Sequence, residues 1–174
     1  MKKAIKAVKE PKVAVIMGSD SDFSIMKGCI KLLKDFGIST EVMVCSAHRT
    51  PDKAAEFAKN SENNGVDLII AAAGKAAHLP GVLAAYTSLP VIGVPVKSST
   101  MDGLDSLLSI VQMPSGIPVA TVAIDGADNA ALLAVQMLSI GYQDLRPKMR
   151  EYKNNLSRKV EEKNKALQEK LKEI

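Results

Sequence analysis

Residues 13–37 read VAVIMGSDSDFSIMKGCIKLLKDFG: a short β-branched run, a polar turn, and a segment whose apolar residues recur with helical spacing. Gly37 fits the position just beyond a helix end. Four further apolar runs follow, with helical stretches between them: TEVMV (40–44), DLIIAAA (67–73), VIGVPV (91–96) and VATVAI (119–124). The chain therefore alternates strands with helices.

The five strand runs are continuously apolar rather than alternating, so both faces of their sheet should be covered, as is typical of parallel strands. Parallel strands joined by helical crossovers predict an α/β fold, a three-layer α/β/α sandwich around a five-stranded parallel sheet. Thr50 fits a helix N-cap and Pro51 the first helical position. Further helices are predicted near Pro80, near Asp102 and over about 128–140.

The length and composition narrow the class of protein. The chain has 174 residues, of which 47% are apolar, which is enough for one domain with a real core. No apolar run approaches the roughly 18 residues of a membrane helix, and no long apolar segment follows the basic start, so secretion is not expected. Two isolated cysteines, Cys29 and Cys45, predict packing roles and a cytoplasmic location.

The positive charge lies at the two ends of the chain. Residues 1–12 and 144–174 each carry a net charge of +4, whereas residues 13–143 carry −4. With three Tyr, three Phe and no Trp, the chain lacks the aromatic platforms that bind single strands. We therefore expect neither nucleic acid nor a membrane as a partner.

The last thirty residues differ in kind from the rest. We divide the chain into a basic arm (1–11), an α/β domain (12–142) and a C-terminal helix (143–174). After Pro147 one apolar stripe runs down a long polar helix, through Met149, Tyr152, Leu156, Val160, Leu167, Leu171 and Ile174. Such a helix is too polar for the core of its own subunit, so we expect it to pack on a neighbouring subunit. A half-frayed, solvated tail is the alternative.

Ligands of open parallel sheets bind beyond the carboxyl ends of the strands, and the loop GSDSD (18–22) follows the first strand. The hydroxyls of Ser19 and Ser21, beside the amides of a helix N-terminus, suit a phosphate. Asp22 could bind ribose hydroxyls. Ordinary N-capping explains the same residues equally well.

The loop CSAHRTPD (45–52) follows the second strand. Small side chains at Ser46 and its neighbour leave space, and the planar guanidinium of Arg49 can hold a phosphate. His48 has the side chain that titrates near neutral pH, as a proton shuttle requires. A histidine that caps a helix or binds a carbonyl is the structural alternative.

The loop AAAGKAAHLPG (71–81) follows the third strand. Small residues around Gly74 would let the backbone lie against a flat ligand. His78 could reach the same pocket or anchor the turn before the next helix, and the residues leave this open.

After the fourth strand, the hydroxyls of residues 98–100 could cap a helix or touch a ligand, and Asp102 and Asp105 fit the first turn of a helix. The sequence shows neither metal-ligand spacing nor a nucleophile-elbow motif. We expect no metal and no other cofactor.

Taken in order, several motifs closely resemble those of the N5-carboxyaminoimidazole ribonucleotide mutase family of purine (IMP) biosynthesis: GSDSD, SAHRTPD, AAHLPG, GVPV, DSLLSIVQMPSGIPVAT and NAALLA. The resemblance covers about residues 12–142. It implies a flavodoxin-like subunit in a homo-octamer that acts on a small ribonucleotide without metal, biotin or ATP. In such enzymes the N5-carboxylate leaves as carbon dioxide, which stays bound and attaches to C4 of the same imidazole.

The resemblance also implies roles for single residues. His48 matches the general acid/base that protonates N5 and later removes the C4 proton. The remaining matches are substrate-binding positions, with phosphate, ribose, carboxylate or base as their targets: Ser19, Asp22, Arg49, Ser21, Ser46, Gly74, His78 and Leu79.

Two features depart from the mutase pattern. Ala72 and Lys75 stand where mutases usually have glycine, and related direct carboxylases, which use free carbon dioxide, have arginine at the position of Lys75. The segment AIDGADNAALLA is about two residues shorter than the usual form.

We favour the mutase, with a direct aminoimidazole ribonucleotide carboxylase as one alternative. A non-catalytic nucleotide-monophosphate binding module, which would not need His48, is the other.

Overall fold

A computed structural model describes residues 10–172 and residue 174. All neighbouring strands of its sheet run parallel, and their spatial order is 2-1-3-4-5. That order is the flavodoxin-like one, so the predicted fold class is confirmed. The strands are β1 (Lys12–Met17), β2 (Ser39–Val44), β3 (Leu68–Gly74), β4 (Val91–Val96) and β5 (Ala120–Thr121).

Helices cover both faces of the sheet. The α-helices are α1 (Phe23–Asp35), α2 (Pro51–Asn60), α3 (Leu79–Tyr86), α4 (Leu104–Val111), α5 (Ala127–Leu138) and α6 (Leu145–Leu171). Buried residues of α1, α5 and the start of α6 form one core cluster with the sheet, and those of α2, α3 and α4 form the other. No described helix is both long enough and apolar enough to cross a membrane.

β1 lies at the centre of the core. Val13 and Val15 belong to the cluster under α1 and α5, and Ala14 and Ile16 belong to the cluster on the opposite face. All four are 0% exposed. The continuous apolar run of this strand therefore reflects burial on both faces, as predicted.

β2 is an edge strand and differs from this pattern. Val42 is 41% exposed and Val44 is 45% exposed. Within the described part of one subunit, the expectation that both faces of the sheet are covered therefore fails at β2, the edge strand, where these two side chains are left partly uncovered.

The fifth strand is shorter than predicted. Pairing with β4 covers Ala120 and Thr121 rather than the whole of 119–124. The chain then turns away: Asp125 adopts a left-handed backbone with φ of 56°, and its N–H donates to the Pro95 carbonyl at 2.8 Å.

The helix predicted between the first polar turn and Gly37 is observed. A 3₁₀ turn occupies Asp20–Asp22, and α1 begins at Phe23. At the other end Gly37 has φ of 79°, and its N–H and that of Ile38 donate to carbonyls of the last helical turn. This is the glycine C-terminal motif that the sequence predicts.

The long C-terminal helix is observed, but its beginning belongs to its own subunit. Leu145 and Met149 are buried in the cluster that α1 and α5 share. The expectation that this helix is too polar for its own core is therefore wrong for its first turns. From Leu156 to Leu171 the stripe is exposed, so whether a neighbouring subunit covers it stays a prediction. Most of the basic arm, residues 1–9, lies outside the described residues.

Gly93 lets α4 and its flanking loop lie directly on β4. A Cβ atom at this position would clash with Ile110 Cγ2 of α4 and would lie 3.1 Å from Val119 Cγ1 and 3.3 Å from Pro80 Cβ. All three neighbours are in the packed interior or at its border. The absence of a side chain at Gly93 therefore sets the distance between sheet and helix.

We expect Gly93→Ala to lower the free energy of unfolding by about 1–3 kcal/mol, because overpacking a core forces its neighbours to move. Urea denaturation followed by circular dichroism measures the change. Gly141→Ala is the matched control, since its Cβ would approach no atom closer than 3.9 Å, and it should shift stability by less than about 0.5 kcal/mol. Equal losses in the two variants would contradict the packing argument.

Candidate active site

A cleft of about 750 Å³ opens where β1, β2, β3 and β4 end. It lies at the point where the strand order reverses, which is the usual ligand site of open α/β sheets. Most of the residues that the sequence singled out line this cleft: Ser19, Ser21, Asp22, Ser46, His48, Arg49, Gly74 and Leu79. His78 is the predicted site residue that does not line it.

The turn after β1 combines a capping structure with the wall of the cleft. The Ser19 N–H donates to Asp22 Oδ2 at 3.1 Å, and the Ser21 N–H donates to Ser19 Oγ at 3.3 Å. The capping alternative for these residues is therefore correct as a local description. It does not remove them from the cleft, because all three side chains also line it.

The two aspartates of this turn have different surroundings. Asp20 is exposed, and its Oδ1 accepts hydrogen bonds from Ser19 Oγ at 3.2 Å and from the Ser21 N–H at 3.1 Å. Asp22 is only 6% exposed. Burial raises the pKa of the Asp22 carboxyl above its usual value, while hydrogen bonds from Ser19 and Ser21 act in the opposite direction.

Thr50 holds the loop after β2 closed and does not cap the helix that follows it. Thr50 Oγ1 accepts from the Ser46 N–H at 3.1 Å and donates to the Ser46 carbonyl at 2.9 Å. α2 begins at Pro51 as predicted, but the Thr50 side chain makes no capping bond to the helix. Its hydroxyl is occupied in holding the ends of the loop together.

Arg49 connects this loop to the turn after β1. Its Nε donates to Ser46 Oγ at 3.4 Å, and one terminal nitrogen donates to the Gly18 carbonyl at 3.4 Å. The guanidinium has five N–H donors, and the side chain is exposed. Donors therefore remain for an anion beside the Ser19 turn.

The two histidines of the chain meet each other. His48 Nε2 and His78 Nδ1 lie 2.9 Å apart, and the rings stand edge to face with centroids 5.0 Å apart. His78 precedes α3 and makes no side-chain capping bond. No described residue bonds to His48 Nδ1, so this is the ring nitrogen that can meet a ligand.

The loop after β4 adds residues whose role the sequence analysis leaves open. Lys97, Ser98 and Ser99 line the cleft. The rule that ligands bind beyond strand ends applies to β4 as well and could have found them. Ser98 Oγ donates to the Asp105 carboxylate at 2.8 Å, so this hydroxyl is already engaged with α4.

Asp105 lies in the first turn of α4 as predicted, but Asp102 does not. Asp102 has φ of 55° and forms an ion pair with Lys97 Nζ at 3.1 Å. The helix begins later because Gly103 at its N-cap is also left-handed.

Both cysteines are buried and free. Burial raises the pKa of the Cys29 thiol to about 12, which keeps it protonated and unreactive. A packing role is therefore confirmed for Cys29. Among the described residues, no three His, Cys, Asp or Glu side chains form a group that could hold a metal ion.

Comparison with known proteins gives a consistent result. The family model described as AIR carboxylase matches residues 12–159. A Pyrococcus horikoshii protein named N5-carboxyaminoimidazole ribonucleotide mutase is 59% identical over 160 residues, which are 92% of this chain and 90% of that protein. A Candida glabrata phosphoribosylaminoimidazole carboxylase is 54% identical over 153 residues, covering 88% of this chain but 27% of that protein. The crystal structure of Treponema denticola PurE superposes with a TM-score of 0.81 at 30% identity, covering 91% of this chain and 99% of that one.

The raised pKa of Asp22 predicts a stability difference that depends on pH. Its native pKa lies above the unfolded value near 3.8, so the native state keeps the proton to a higher pH than the unfolded state does. The stabilisation that this carboxyl gives the fold is therefore lost as the pH rises from the unfolded pKa through the native pKa. Asp22→Asn lacks this titration. Relative to wild type, this variant should therefore be more stable at pH 7 than at pH 4, which means that its free energy of unfolding is larger by comparison at pH 7.

Urea denaturation at the two pH values measures this difference. Asp20→Asn is the matched control, because its side chain lies in the same turn but is exposed. A pH dependence as large in Asp20→Asn as in Asp22→Asn would show that burial of Asp22 is not the cause.

Proposed function

This chain belongs to the AIR carboxylase family, and we propose from that premise how its cleft acts on a ribonucleotide. The enzyme is a mutase of de novo purine (IMP) biosynthesis, as its close relatives are named. It converts N5-carboxyaminoimidazole ribonucleotide into 4-carboxy-5-aminoimidazole ribonucleotide. The observation that carries the proposed mechanism is that His48 and Arg49 line one cleft with the Ser19 turn.

The substrate is proposed to bind with its phosphate at the β1 end of the cleft. Arg49, Ser19 and Ser21 surround that region and offer N–H and O–H donors, which suit phosphate oxygens. Asp22 is an acceptor for ribose hydroxyls. The imidazole ring then extends toward His48 and the small residues around Gly74, where backbone amides and carbonyls can face it.

The proposed reaction needs two proton transfers, and the His48 side chain carries out both. In the first half the N5–carboxyl bond breaks, its electron pair stays on N5, and the His48 imidazolium protonates N5 while carbon dioxide is released into the cleft. In the second half C4 attacks the enzyme-bound carbon dioxide, a C–C bond forms, and neutral His48 takes the C4 proton. Nothing is oxidised or reduced, so we propose that no cofactor takes part.

His78 is proposed as a positioning residue. His48 keeps its Nε2–H directed at His78 Nδ1 throughout the proposed reaction. The Nδ1 atom of His48 then alternates between carrying the transferred proton and accepting it. His78 then stays neutral with its proton on Nε2. The same hydrogen bond stabilises the imidazolium and fixes the tautomer that the base step needs, as a carboxylate does in other catalytic sets.

Direct carboxylation of aminoimidazole ribonucleotide by free carbon dioxide is the second candidate. The 54% identity to a phosphoribosylaminoimidazole carboxylase favours it, and the same His48 could remove the C4 proton. Assays of both substrates side by side separate the two. Turnover of aminoimidazole ribonucleotide with carbon dioxide alone, and none of the N5-carboxylated compound, would rule out the mutase.

The assembly is proposed to be a homo-octamer in the cytoplasm. Support for self-association comes from apolar side chains that one subunit leaves exposed, on β2 at Val42 and Val44, on α4 at Leu104 and Leu108, and along α6. Free cysteines are typical of a reducing compartment. The proposed partners are the ribonucleotide, carbon dioxide as an enzyme-bound intermediate, and further copies of the chain, with neither nucleic acid nor membrane.

We expect His48→Asn to lower kcat by about 10²–10⁴-fold, the usual contribution of a general acid/base. The affinity for the 4-carboxylated product should change little, because the phosphate and ribose contacts remain. Steady-state kinetics and calorimetric titration measure the two quantities. His78→Phe removes only the hydrogen-bond acceptor of His48 and should cost less turnover.

Unchanged turnover in His48→Asn would contradict the mechanism and favour a nucleotide-binding module. Loss of product binding together with turnover would show instead that His48 holds the ligand.

The proposed packing of α6 on a neighbouring subunit predicts that Leu167→Lys with Leu171→Lys reduces the size of the assembly, because two charges would enter an apolar contact. Light scattering after size-exclusion chromatography measures this. Glu169→Lys adds the same two units of positive charge away from the stripe, where the Glu169 carboxylate pairs with Lys172 at 2.7 Å, and it should leave the assembly intact. An unchanged size in the double variant would show that the exposed helix is a solvated tail.

A further inference from the structure

Among residues 10–172, three residues other than glycine adopt a left-handed backbone; one lines the cleft, and the other two contact Lys97, which lines it. They are Lys75 with φ of 57°, Asp102 with φ of 55° and Asp125 with φ of 56°. This conformation costs free energy for any side chain with a Cβ, and aspartate tolerates it better than lysine does. Such strain is concentrated at functional sites in proteins.

The two aspartates have evident local compensation. Asp125 Oδ1 accepts a hydrogen bond from the Lys97 N–H at 2.9 Å, and Asp102 pairs with Lys97 Nζ at 3.1 Å. Within the described part of the chain, Lys75 has neither a hydrogen bond nor an ion pair through its ammonium group. Nothing local explains why a strained position carries a long cationic side chain.

The surroundings of Lys75 differ from those of the other cations that line the cleft. Arg49 contacts Ser46 and Gly18 on the β1 and β2 side, and Lys97 is paired with Asp102. Lys75 directly follows β3 and lines the cleft with an exposed side chain. The same loop carries His78, whose ring meets His48 at 2.9 Å. The unpaired ammonium charge of Lys75 therefore lies on the His48 side of the cleft and not on the side proposed to bind phosphate.

We propose that Lys75 binds the carboxylate of the ribonucleotide and thereby selects carboxylated over uncarboxylated ligands, an inference that rests on the proposed function. Substrate and product each carry a carboxylate, on N5 and on C4, whereas the carbon dioxide between them is neutral. An ammonium group attracts the two ground states and gains nothing from the neutral gas. Lys75 is therefore a specificity-determining residue whose loss raises KM more than it lowers kcat.

The test compares the affinities of two stable ribonucleotides, the 4-carboxylated product and uncarboxylated 5-aminoimidazole ribonucleotide, by calorimetric titration. Wild type and Lys75→Arg should prefer the carboxylated compound. In Lys75→Ala and Lys75→Gly this preference should fall about tenfold, the contribution of one hydrogen bond to a charged group. KM for the N5-carboxylated substrate should rise by a similar factor and kcat should not fall, because a contact made to the ground-state carboxylate and lost in neutral carbon dioxide does not stabilise the transition state.

The glycine and alanine variants also check the strain. Lys75→Gly removes the charge and relieves the left-handed backbone, whereas Lys75→Ala removes the charge and keeps the strain. The thermal midpoint of Lys75→Gly should therefore exceed that of Lys75→Ala. Lys97→Ala is a second control, because it removes a cleft cation that Asp102 already neutralises, and it should change the preference less than Lys75→Ala does.

An unchanged preference in Lys75→Ala and Lys75→Gly would overturn the assignment, and so would an equal loss in Lys97→Ala, which would indicate a general effect of positive charge. Failure of the proposed function would look different, since wild type itself would then interconvert neither carboxylated compound.

Discussion

The parallel pairing of β1 with β2 on one side and β3 on the other is the constraint on which the site depends. Val15 stands opposite both Val42 and Ile70 in this register, so β1 and β2 end at one level and β3 ends two residues beyond it. The loops after them consequently lie close to one another, and Arg49, which follows β2, can reach the Gly18 carbonyl at the end of the neighbouring strand β1. A shift of one residue in either pairing would turn each side chain of the shifted strand to the opposite face of the sheet and would displace the loops that line the cleft.

The electrostatics of the cleft follow from the same arrangement. Its cations are distributed between the two ends: Arg49 lies beside the β1 turn, and Lys75 and Lys97 follow β3 and β4. The buried Asp22 stands beside the hydroxyl groups of Ser19 and Ser21, which agrees with the proposal that it binds ribose. A ligand with negative charge at each end and a flat neutral ring between them fits this distribution.

The sequence predicts most of the fold because its signals are local or are carried by continuous burial. The buried run of β1 and the glycine after α1 are such signals, and the structure confirms the strand and the helix end that they predict. The errors arise where tertiary contacts outweigh the local pattern. Thr50 is bound by Ser46, β5 ends because Asp125 meets Pro95, and the contact of His48 with His78 joins loops that are thirty residues apart. No periodicity encodes that last contact, so the role of His78 could not be chosen from the residues alone.

The C-terminal helix shows how one pattern can serve two environments. Its apolar positions repeat every eleven residues, at 145, 156 and 167 and again at 149, 160 and 171, and eleven residues make almost three full helical turns. The stripe therefore continues in a straight line from the part that is buried on α5. At about 1.5 Å per residue, Leu171 lies roughly 22 Å beyond Leu156 along a helix that does not bend back. The distal stripe therefore extends beyond the core that residues 10–172 build, and no described part of its own subunit covers it.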